Sequence, residues 1–335
     1  MGWKAPADAA SKIVRPPGTS ADDLQVSVER AAAALLTADA IIFCCGAGMG
    51  VDSGIPDFRG TENALFASFK GKSKMTYEQM SNSEHFKQDP AFAWGLNIAQ
   101  LELYRSAQPH DGFARMLKWT TLLGKPWFAF TSNIDAQLEK AGFADRQIVA
   151  CHGDLRYLQC SEPGCARGNR PAGCAPAVWK HSIPSGIEVD AETLRLTRPE
   201  FLDERKMRCP RCGSVARPNV WFCHDRGYVQ SDYGREKARN LERWLSAMRD
   251  GKRKVAVLEL GAGLAIPTVR LKSEEIVAQS GHGSVLVRVN PSLKDCSAPF
   301  LVANRFVGVP LGARDALERI DDKLVELLGA EAMTC

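Results

Sequence analysis

Two close pairs of cysteines are the feature of this sequence whose chemistry is easiest to name. They are Cys160-x4-Cys165 and Cys209-x2-Cys212. Each pair can bend round one ion, and four thiolates suit the tetrahedral coordination that zinc prefers. No histidine or open water position is evident among the four, so the spacing predicts a structural zinc site that does not catalyse. Cys174, which lies between the pairs, is an alternative ligand.

A glycine-rich turn is the second candidate, because it follows the apolar run Ala40–Cys45. Gly46 and Gly48 are expected to leave backbone N–H groups bare, so that a pyrophosphate can approach closely at the start of a helix. A Gly-Ala-Gly turn after a strand is by itself equally compatible with a simple tight turn. The loop 56–59, Pro-Asp-Phe-Arg, favours a dinucleotide ligand, because it offers a ring for stacking, a carboxylate for an amide and a guanidinium for phosphate.

Polar residues after two further apolar runs form the third candidate. Asn133 and Asp135 follow Trp127–Thr131. Because ligands bind beyond the carboxyl ends of strands in open α/β sheets, these side chains are expected to face the same crevice as the glycine turn. The alternative is a helix cap, which Ser, Asn and Asp also serve. His152, with Gly153 beside it, lies between this crevice and the first cysteine pair, so we interpret it as a candidate general base, although a lone histidine is more often structural.

The elements that must position these residues alternate between strands and helices. Predicted strands are Ala40–Cys45, Trp127–Thr131, Ile148–Ala150, Val255–Leu260, Val285–Val289 and Phe306–Val309. Predicted helices are 21–37, 89–106, 111–123, 134–141 and 315–328. Such alternation predicts an α/β fold with a Rossmann-like, doubly wound parallel sheet.

The chain divides by texture into a main domain and an inserted module. Residues 21–150 and 227–330 form the predicted Rossmann-like domain, and residues 1–20 a flexible lead. Residues 151–226 are dense in Cys, Pro, Gly and Arg and show no periodicity. We interpret this stretch as a zinc-binding module held together by something other than a hydrophobic core.

Composition and charge are those of an ordinary globular protein. Hydrophobic residues make up 45% and charged residues 24% of the chain, and the net charge is +4. The longest basic run is 252–254, so direct nucleic-acid binding is not expected. No apolar run reaches the length of about 18 residues that a membrane span needs, and the first residues do not resemble a signal peptide, so we expect a cytoplasmic protein without membrane binding. Eleven cysteines then indicate metal binding or catalysis before disulfides, while Cys44 and Cys45 are expected to be core thiols.

Taken in order, these motifs resemble those of the sirtuin family, the NAD-dependent protein deacylases. The matching stretches are 46–50, 54–60, 131–135, 152–153, the four paired cysteines, 217–222 and 261–264. The resemblance implies a Rossmann-like NAD-binding domain with a small zinc module. It implies NAD and one structural zinc as cofactors. It also implies removal of an acyl group from the lysine of a protein or peptide, which gives nicotinamide and O-acyl-ADP-ribose.

The resemblance also implies roles for individual residues. The cofactor-binding residues would be Gly46, Ala47, Gly48, Asp57, Phe58, Arg59, Ser132, Asn133, Ile134, Asp135, Gly261, Ala262, Gly263, Asn290 and Ala313. His152 would be the base that acts on the ribose hydroxyls, and Asn133 would hold a water on the ribose side. Val220 and Phe222 would contact the substrate.

Asn97 and Gln100 would stand where some relatives carry Tyr and Arg, the Arg pairing with a succinyl carboxylate. Without that Arg an acidic acyl group has no bidentate partner, so a neutral acyl group is expected to be preferred. The alternative is that Asn97 and Gln100 face solvent.

Several positions depart from the family pattern. Gly50 and Ser132 stand where relatives carry serine and glutamine, and Ala262 lacks a hydroxyl that relatives have. Cys223-His224 replaces Gly-Glu in a stretch that pairs with the substrate backbone in relatives. A weakened peptide cleft would let water or another nucleophile react, so an NAD glycohydrolase or ADP-ribosyltransferase activity in the same cleft is the alternative function.

Overall fold

Strands and helices alternate through most of the chain, as the sequence predicted. The structure is a computed structural model that describes residues 13–14, 18–57, 75, 77–162, 164–165, 178–280 and 283–334. Its strands are β1 (Ile13–Val14), β2 (Ala40–Cys45), β3 (Trp127–Thr131), β4 (Ile148–Ala150), β5 (Gly153–Cys160), β6 (Val178–Lys180), β7 (Ala216–Val220), β8 (Val255–Leu260), β9 (Val285–Val289), β10 (Ala298–Pro299) and β11 (Phe306–Val309). Its α-helices are α1 (Ala21–Thr37), α2 (Tyr77–Met80), α3 (His85–Gln88), α4 (Pro90–Ser106), α5 (Asp111–Leu122), α6 (Gln137–Lys140), α7 (Asp232–Asp250), α8 (Thr268–Gln279) and α9 (Ala313–Thr334). Short 3-10 helices cover Ala47–Ser53, Asp145–Gln147, Pro199–Asp203, Arg205–Met207 and Phe300–Arg305.

A six-stranded parallel sheet with the strand order β11-β9-β8-β2-β3-β4 organises the main domain. In its register, Cys45 at the end of β2 stands opposite Thr131 of β3 and Leu260 of β8. The carboxyl ends of the three central strands therefore reach the same edge of the sheet. The glycine turns and the polar loop found in the sequence all follow these ends, so the topology gathers them at one edge.

Helices cover both faces of this sheet, which confirms the doubly wound prediction. One apolar core packs the sheet against α1, α5 and α9, and it includes Leu35, Trp119 and Leu317. The other packs the opposite face against α7 and α8. The strands read as continuous apolar runs because both of their faces are buried, and Cys44 and Cys45 are buried core thiols as expected.

A smaller antiparallel sheet with the order β6-β5-β7 forms the centre of residues 151–226. The expectation that this module lacks a hydrophobic core is wrong. Leu155, Leu158, Phe201 and Met207 are buried in one apolar cluster that also includes residues of α4. The indole Nε1 of Trp94 in α4 donates to the Ala216 carbonyl at 2.9 Å. The core escaped detection because its residues come from short strands and 3-10 turns, which carry no periodicity.

Two segments differ from the elements that the sequence predicted. The predicted helix 134–141 is reduced to α6, because Ala136 has a left-handed backbone with φ 57° and the Asp135 carboxylate accepts from the Gln137 N–H at 2.9 Å. Residues 132–136 are therefore a loop at the edge of the sheet. Within the predicted lead, Ile13–Val14 pairs antiparallel with Ala298–Pro299. Among the described helices, none is long and apolar enough to cross a membrane.

A buried ion-pair network joins β8 to β9 directly behind the second glycine turn. Arg288 and Glu259 are both fully buried, with Nη2 and Oε2 separated by 2.9 Å, and Nη2 also lies 2.8 Å from Glu274 Oε1. Breaking such a pair leaves an uncompensated buried charge. We expect Glu259→Gln to lower the free energy of unfolding by about 3 kcal/mol, as measured by urea denaturation.

The matched control for this prediction removes both charges. The double variant Glu259→Leu with Arg288→Met is expected to be less destabilised than the sum of its single variants, because the paired charges are removed together and Glu274 keeps Arg270 as a partner at 3.5 Å. Additive single effects would contradict the ion-pair interpretation.

Candidate active site

The two glycine turns meet across the ends of β2 and β8. The Gly48 N–H donates to the Gly261 carbonyl at 3.0 Å, and the Gly46 N–H donates to the Leu260 carbonyl at 2.9 Å. A Cβ atom added to Gly48 would lie 2.8 Å from Gly261 Cα, closer than packed atoms allow. The expectation that these N–H groups are bare is therefore wrong. The glycines instead let two backbones approach closely, because β2 and β8 are neighbours in the sheet.

A cavity of about 760 Å³ opens at this edge of the sheet. The predicted site residues that line it are Gly46, Ala47, Gly48, Asp57, Asn97, Gln100, Ser132, Ile134, His152, Val220, Phe222, Gly261, Ala262, Gly263, Asn290 and Ala313. Asn133 and Asp135 line a small adjoining cavity. Phe58 and Arg59 lie outside the described residues. Residues that the sequence did not single out, among them Asp52 and Trp221, also line the main cavity.

The polar loop after β3 is attached to the first glycine turn. Asn133 Nδ2 donates to the Gly46 carbonyl at 3.0 Å, and the Asn133 N–H donates to Thr131 Oγ1 at 3.0 Å. Thr131 Oγ1 in turn donates to the Cys45 carbonyl at 2.8 Å. Asn133 Oδ1 is buried and has no hydrogen-bond partner among the described residues. An acceptor in that state is available to a water or a ligand.

Asp135 is a buried carboxylate at the back of this loop. Burial, together with the neighbouring Glu139 and Asp154, raises its pKa to about 6. The carboxyl therefore titrates close to neutral pH, which is typical of groups at functional sites. An added Cβ at Gly50 would lie 3.7 Å from Asp135 Oδ2, so Gly50 borders this carboxylate.

His152 follows β4 and reaches the main cavity. Its ring lies perpendicular to that of Trp221, with centroids 5.7 Å apart. Its carbonyl accepts from the Trp221 N–H at 2.9 Å. Gly153 has φ 86°, and a side chain there would overlap the Asn219 carbonyl. Burial lowers the pKa of His152, so the imidazole is neutral at pH 7 and can accept a proton.

The segment after β7 forms the wall of the cavity beside His152. A buried ion pair lies beneath it, with Arg217 Nη2 2.7 Å from Asp225 Oδ2. The Arg217 guanidinium also lies over the Phe222 ring, 5.5 Å from its centroid. Trp221 is 51% exposed and stacks on Tyr228. The wall therefore exposes the Trp221 ring to solvent, above a segment that the buried Arg217–Asp225 ion pair holds in place.

Asn97 and Gln100 form part of the opposite wall. They are 5% and 6% exposed and line the cavity, so the alternative that they face solvent is wrong. Asn97 Nδ2 donates to the Ala93 carbonyl at 2.7 Å, and Gln100 Nε2 donates to Tyr104 Oη at 2.8 Å. Each amide group therefore uses one of its two N–H donors within α4.

The four paired cysteines come together in the small sheet. Their sulfur atoms all lie within 4.8 Å of one another. Cys160 ends β5, and Cys209 and Cys212 immediately precede β7, at a turn where Gly213 has φ 75°. Four thiols at this spacing can hold one tetrahedral zinc ion, and no other metal-ligating side chain joins them in the described part of the chain. Cys174 lies outside the described residues.

Removing zinc is expected to unfold this module. A strong chelator should lower the melting temperature by roughly 10 °C or more, because structural zinc supplies folding free energy. Cys209→Ser should lose zinc in the same way, whereas the control Cys174→Ser should retain it. Metal analysis of freshly purified protein that finds no zinc would sink this prediction.

Comparison with known proteins gives a consistent result. The Sir2 family model matches residues 46–233. NAD-dependent protein deacetylase 2 of Geobacillus kaustophilus is 29% identical over 55% of this chain and 60% of its own length. An NAD-dependent protein deacylase of Thermococcus kodakarensis is 27% identical over 53% of this chain and 57% of its own length. The chain thus spans only about 60% of the first of these curated relatives.

Solved structures extend the likeness to nearly the whole fold. The crystal structure of a Sir2 homolog–NAD complex superposes with a TM-score of 0.58 and covers 94% of this chain and 97% of that one, at 19% identity. At this identity the likeness establishes the fold alone.

Proposed function

The chain belongs to the Sir2 family, and on that premise we propose that it is an NAD-dependent protein-lysine deacylase. The reaction consumes NAD, an acyl-lysine peptide and one water, and it releases nicotinamide, the peptide with free lysine, and O-acyl-ADP-ribose. The observation that carries the proposal is that a neutral His152 shares one cavity with both glycine turns and with residues 220–222.

The shape of the cavity floor supports NAD as the second substrate. Both glycine turns, residues 46–48 and 261–263, line the cavity side by side, so their backbones are accessible to a ligand there. Asn133 Oδ1 offers a buried acceptor without a partner among the described residues. Asn290, whose Nδ2 donates to the Ala262 carbonyl at 3.2 Å, lines the other end of the cavity. When bound, NAD supplies a ribose carbon that becomes electrophilic as nicotinamide leaves.

His152 supplies the base for the transfer. Once the acyl oxygen had replaced nicotinamide on the ribose carbon, the neutral ring would take a proton from a ribose hydroxyl, whose oxygen would bond to the acyl carbon. The carbon–nitrogen bond would then break, with the proton returned to the lysine amine, and one water would supply the new hydroxyl of the ribose carbon. Burial holds the ring in its neutral form at pH 7. The Trp221 ring packs perpendicular to the imidazole, with centroids 5.7 Å apart, and helps to hold it in the cavity.

The wall after β7 supports a peptide as the acyl carrier. Val220 and Phe222 line the cavity, and the Arg217–Asp225 pair holds the segment that carries them. A lysine chain that passes between this wall and α4 delivers its acyl group toward Asn97 and Gln100.

One observation favours a second function. The Cys223 N–H donates to the Ser81 carbonyl at 2.9 Å, and the Trp221 N–H donates to the His152 carbonyl at 2.9 Å. Both donors are thus withdrawn from a peptide that pairs with this segment. A weaker peptide site favours water or another nucleophile, which is the chemistry of an NAD glycohydrolase or ADP-ribosyltransferase.

Mass spectrometry of the products separates these functions. The protein is incubated with NAD and an acetyl-lysine peptide, and NAD-derived products are identified. O-acetyl-ADP-ribose in step with deacetylated peptide supports the deacylase. Free ADP-ribose supports the hydrolase, and ADP-ribosylated protein the transferase. No turnover of NAD under any of these conditions rejects an enzymatic role.

A further inference from the structure

Thr268, the first residue of α8, contacts the candidate base directly. Its Oγ1 lies 3.1 Å from His152 Nε2. We propose that Thr268 is a positioning residue that accepts the Nε2–H of His152 and thereby leaves the Nδ1 lone pair as the base. This inference rests on the proposed function of His152 and names the atom through which it acts.

The proton count decides the direction of this hydrogen bond. A neutral imidazole has one N–H donor and one lone-pair acceptor, whereas a threonine hydroxyl can both donate and accept. If Thr268 donated to Nε2, the ring proton would sit on Nδ1, and neither nitrogen of His152 would keep a free lone pair. With Nε2–H as the donor, Nδ1 is free, and it has no hydrogen-bond partner among the described residues. Only the second arrangement makes His152 a base while the contact persists.

The remaining contacts of His152 fix its backbone and limit the tilt of its ring, but they do not determine which ring nitrogen points toward the cavity. The backbone is held because Gly153 packs on Asn219 and the carbonyl accepts from Trp221. The Trp221 ring stands perpendicular to the imidazole at 88° and limits its tilt. The hydrogen bond to the Thr268 hydroxyl therefore determines which ring nitrogen is left facing the cavity.

Thr268 is itself held rigidly enough for this role. It is β-branched, which restricts its side-chain rotation in a helix. It is followed by Val269 and Arg270, which are both buried. The Arg270 guanidinium donates to the Asp295 carbonyl at 2.5 Å and so anchors the first turn of α8.

The same contact stabilises the ring after it has taken a proton. Both nitrogens of an imidazolium donate, so the Thr268 oxygen remains a partner for Nε2–H. Two titratable groups beside the His152 ring are Cys151, adjacent in the chain, and Tyr228, which stacks on Trp221. The cavity that His152 lines also includes the charged residues Asp52, Asp57, Lys294 and Asp295. The His152 pKa is lowered by burial, with no contribution from a charged group. Burial raises the pKa of Cys151 to about 12, and it also raises the pKa of Tyr228 above its ordinary value. Both stay uncharged in the range where His152 titrates, so the hydroxyl acts without competition from them.

The test compares Thr268→Val with Thr268→Ser in the full chain, using NAD and an acetyl-lysine peptide. Valine keeps the shape but removes the acceptor, so kcat should fall about tenfold or more, while KM for NAD stays unchanged. Losing that acceptor disfavours the imidazolium. The acid limb of the kcat–pH profile should therefore move to lower pH even though the maximal rate falls. Serine should restore both the rate and the profile.

Nitrogen-15 NMR of the histidine ring gives a readout that needs no turnover. We expect the neutral Nε2–H form in the wild type and a mixture of the two forms in Thr268→Val. A wild-type ring protonated at Nδ1 would overturn the proposal, whether or not the enzyme is active.

Two kinetic outcomes would also overturn it. One is a folded Thr268→Val protein with unchanged kcat and pH profile. The other is a lower KM for NAD in Thr268→Val than in the wild type. That result would mean that the Thr268 hydroxyl competes with a ribose hydroxyl of NAD for the same position, rather than orienting His152. A wild-type protein that forms no O-acetyl-ADP-ribose would instead count against the proposed function, and the NMR result would still decide the role of Thr268.

Discussion

Replacing His152 by alanine is expected to reduce deacylation by about 10²–10⁴-fold, the usual contribution of a general base. The ring is neutral because burial lowers its pKa, and it reaches the cavity beside the glycine turns. NAD binding should be largely retained, because the glycine turns and Asn290 supply contacts that do not involve the imidazole. Steady-state kinetics and calorimetric titration with NAD measure the two effects separately.

A matched control for this variant is His85→Ala. His85 belongs to α3, is not among the cavity-lining residues, and bonds through its ring to the Gln79 carbonyl. This variant should keep wild-type activity. Full activity in a His152→Ala protein with a wild-type melting temperature would remove His152 from the mechanism.

Acyl choice is the second large effect, and we expect deacetylation to exceed desuccinylation clearly on the same peptide. Asn97 and Gln100 line the cavity, but their NH₂ groups donate to Ala93 and Tyr104. Each amide keeps a second N–H, but a neutral amide cannot neutralise a carboxylate. Burying an unpaired succinyl charge there costs several kcal/mol, which suppresses turnover by orders of magnitude.

A nearby basic residue does not change this expectation. Arg105 lies one turn beyond Gln100, yet its guanidinium bonds to Glu102 at 2.7 Å and to the Ile183 carbonyl at 2.6 Å. The guanidinium therefore already has partners and does not point toward Asn97 and Gln100. This leaves no cationic partner for a succinyl group on this part of α4.

Catalytic efficiencies on acetyl- and succinyl-lysine versions of one peptide test the prediction. Gln100→Arg should raise succinyl use by supplying a bidentate partner, and Gln100→Leu is the uncharged control. Equal or better use of the succinyl substrate by the wild type would show that the acyl group does not lie against these amides.

The strands of the main sheet were predictable because each is a continuous apolar run that ends in glycine or polar residues. The bounds of β2, β3 and β8 agree with the sequence prediction at both ends. The helix α7 was not predicted, because only a narrow stripe around Leu241 and Leu245 is buried in an otherwise charged segment. The loop before α6 was read as helix because Asp135 is also a good cap, and the left-handed Ala136 leaves no mark in the sequence.

The candidate site was predictable where one short motif carries it, and not where two distant segments meet. The four cysteines are recognisable by their type and spacing, and His152 was singled out by its place between the glycine turn and the first cysteine pair. Thr268 carries no such signal in the sequence. It is 116 residues from His152 in the chain and approaches it only because α8 begins beside the end of β4. Likewise, the contact between Trp221 and His152 was not predictable, because it depends on how β7 places Trp221 in the fold.

The position of β2 in the sheet also sets an order of events while the chain is being synthesised. β2 pairs with β8, yet the whole β6-β5-β7 sheet lies between them in the chain. The nascent protein therefore exposes one edge of an apolar strand until β8 emerges, and such edges drive aggregation. The smaller sheet, whose strands are close together in the chain, can form earlier around its four cysteines. We expect zinc starvation during synthesis to lower the yield of folded protein by prolonging that exposed interval, an effect that adding zinc to the finished aggregate does not reverse.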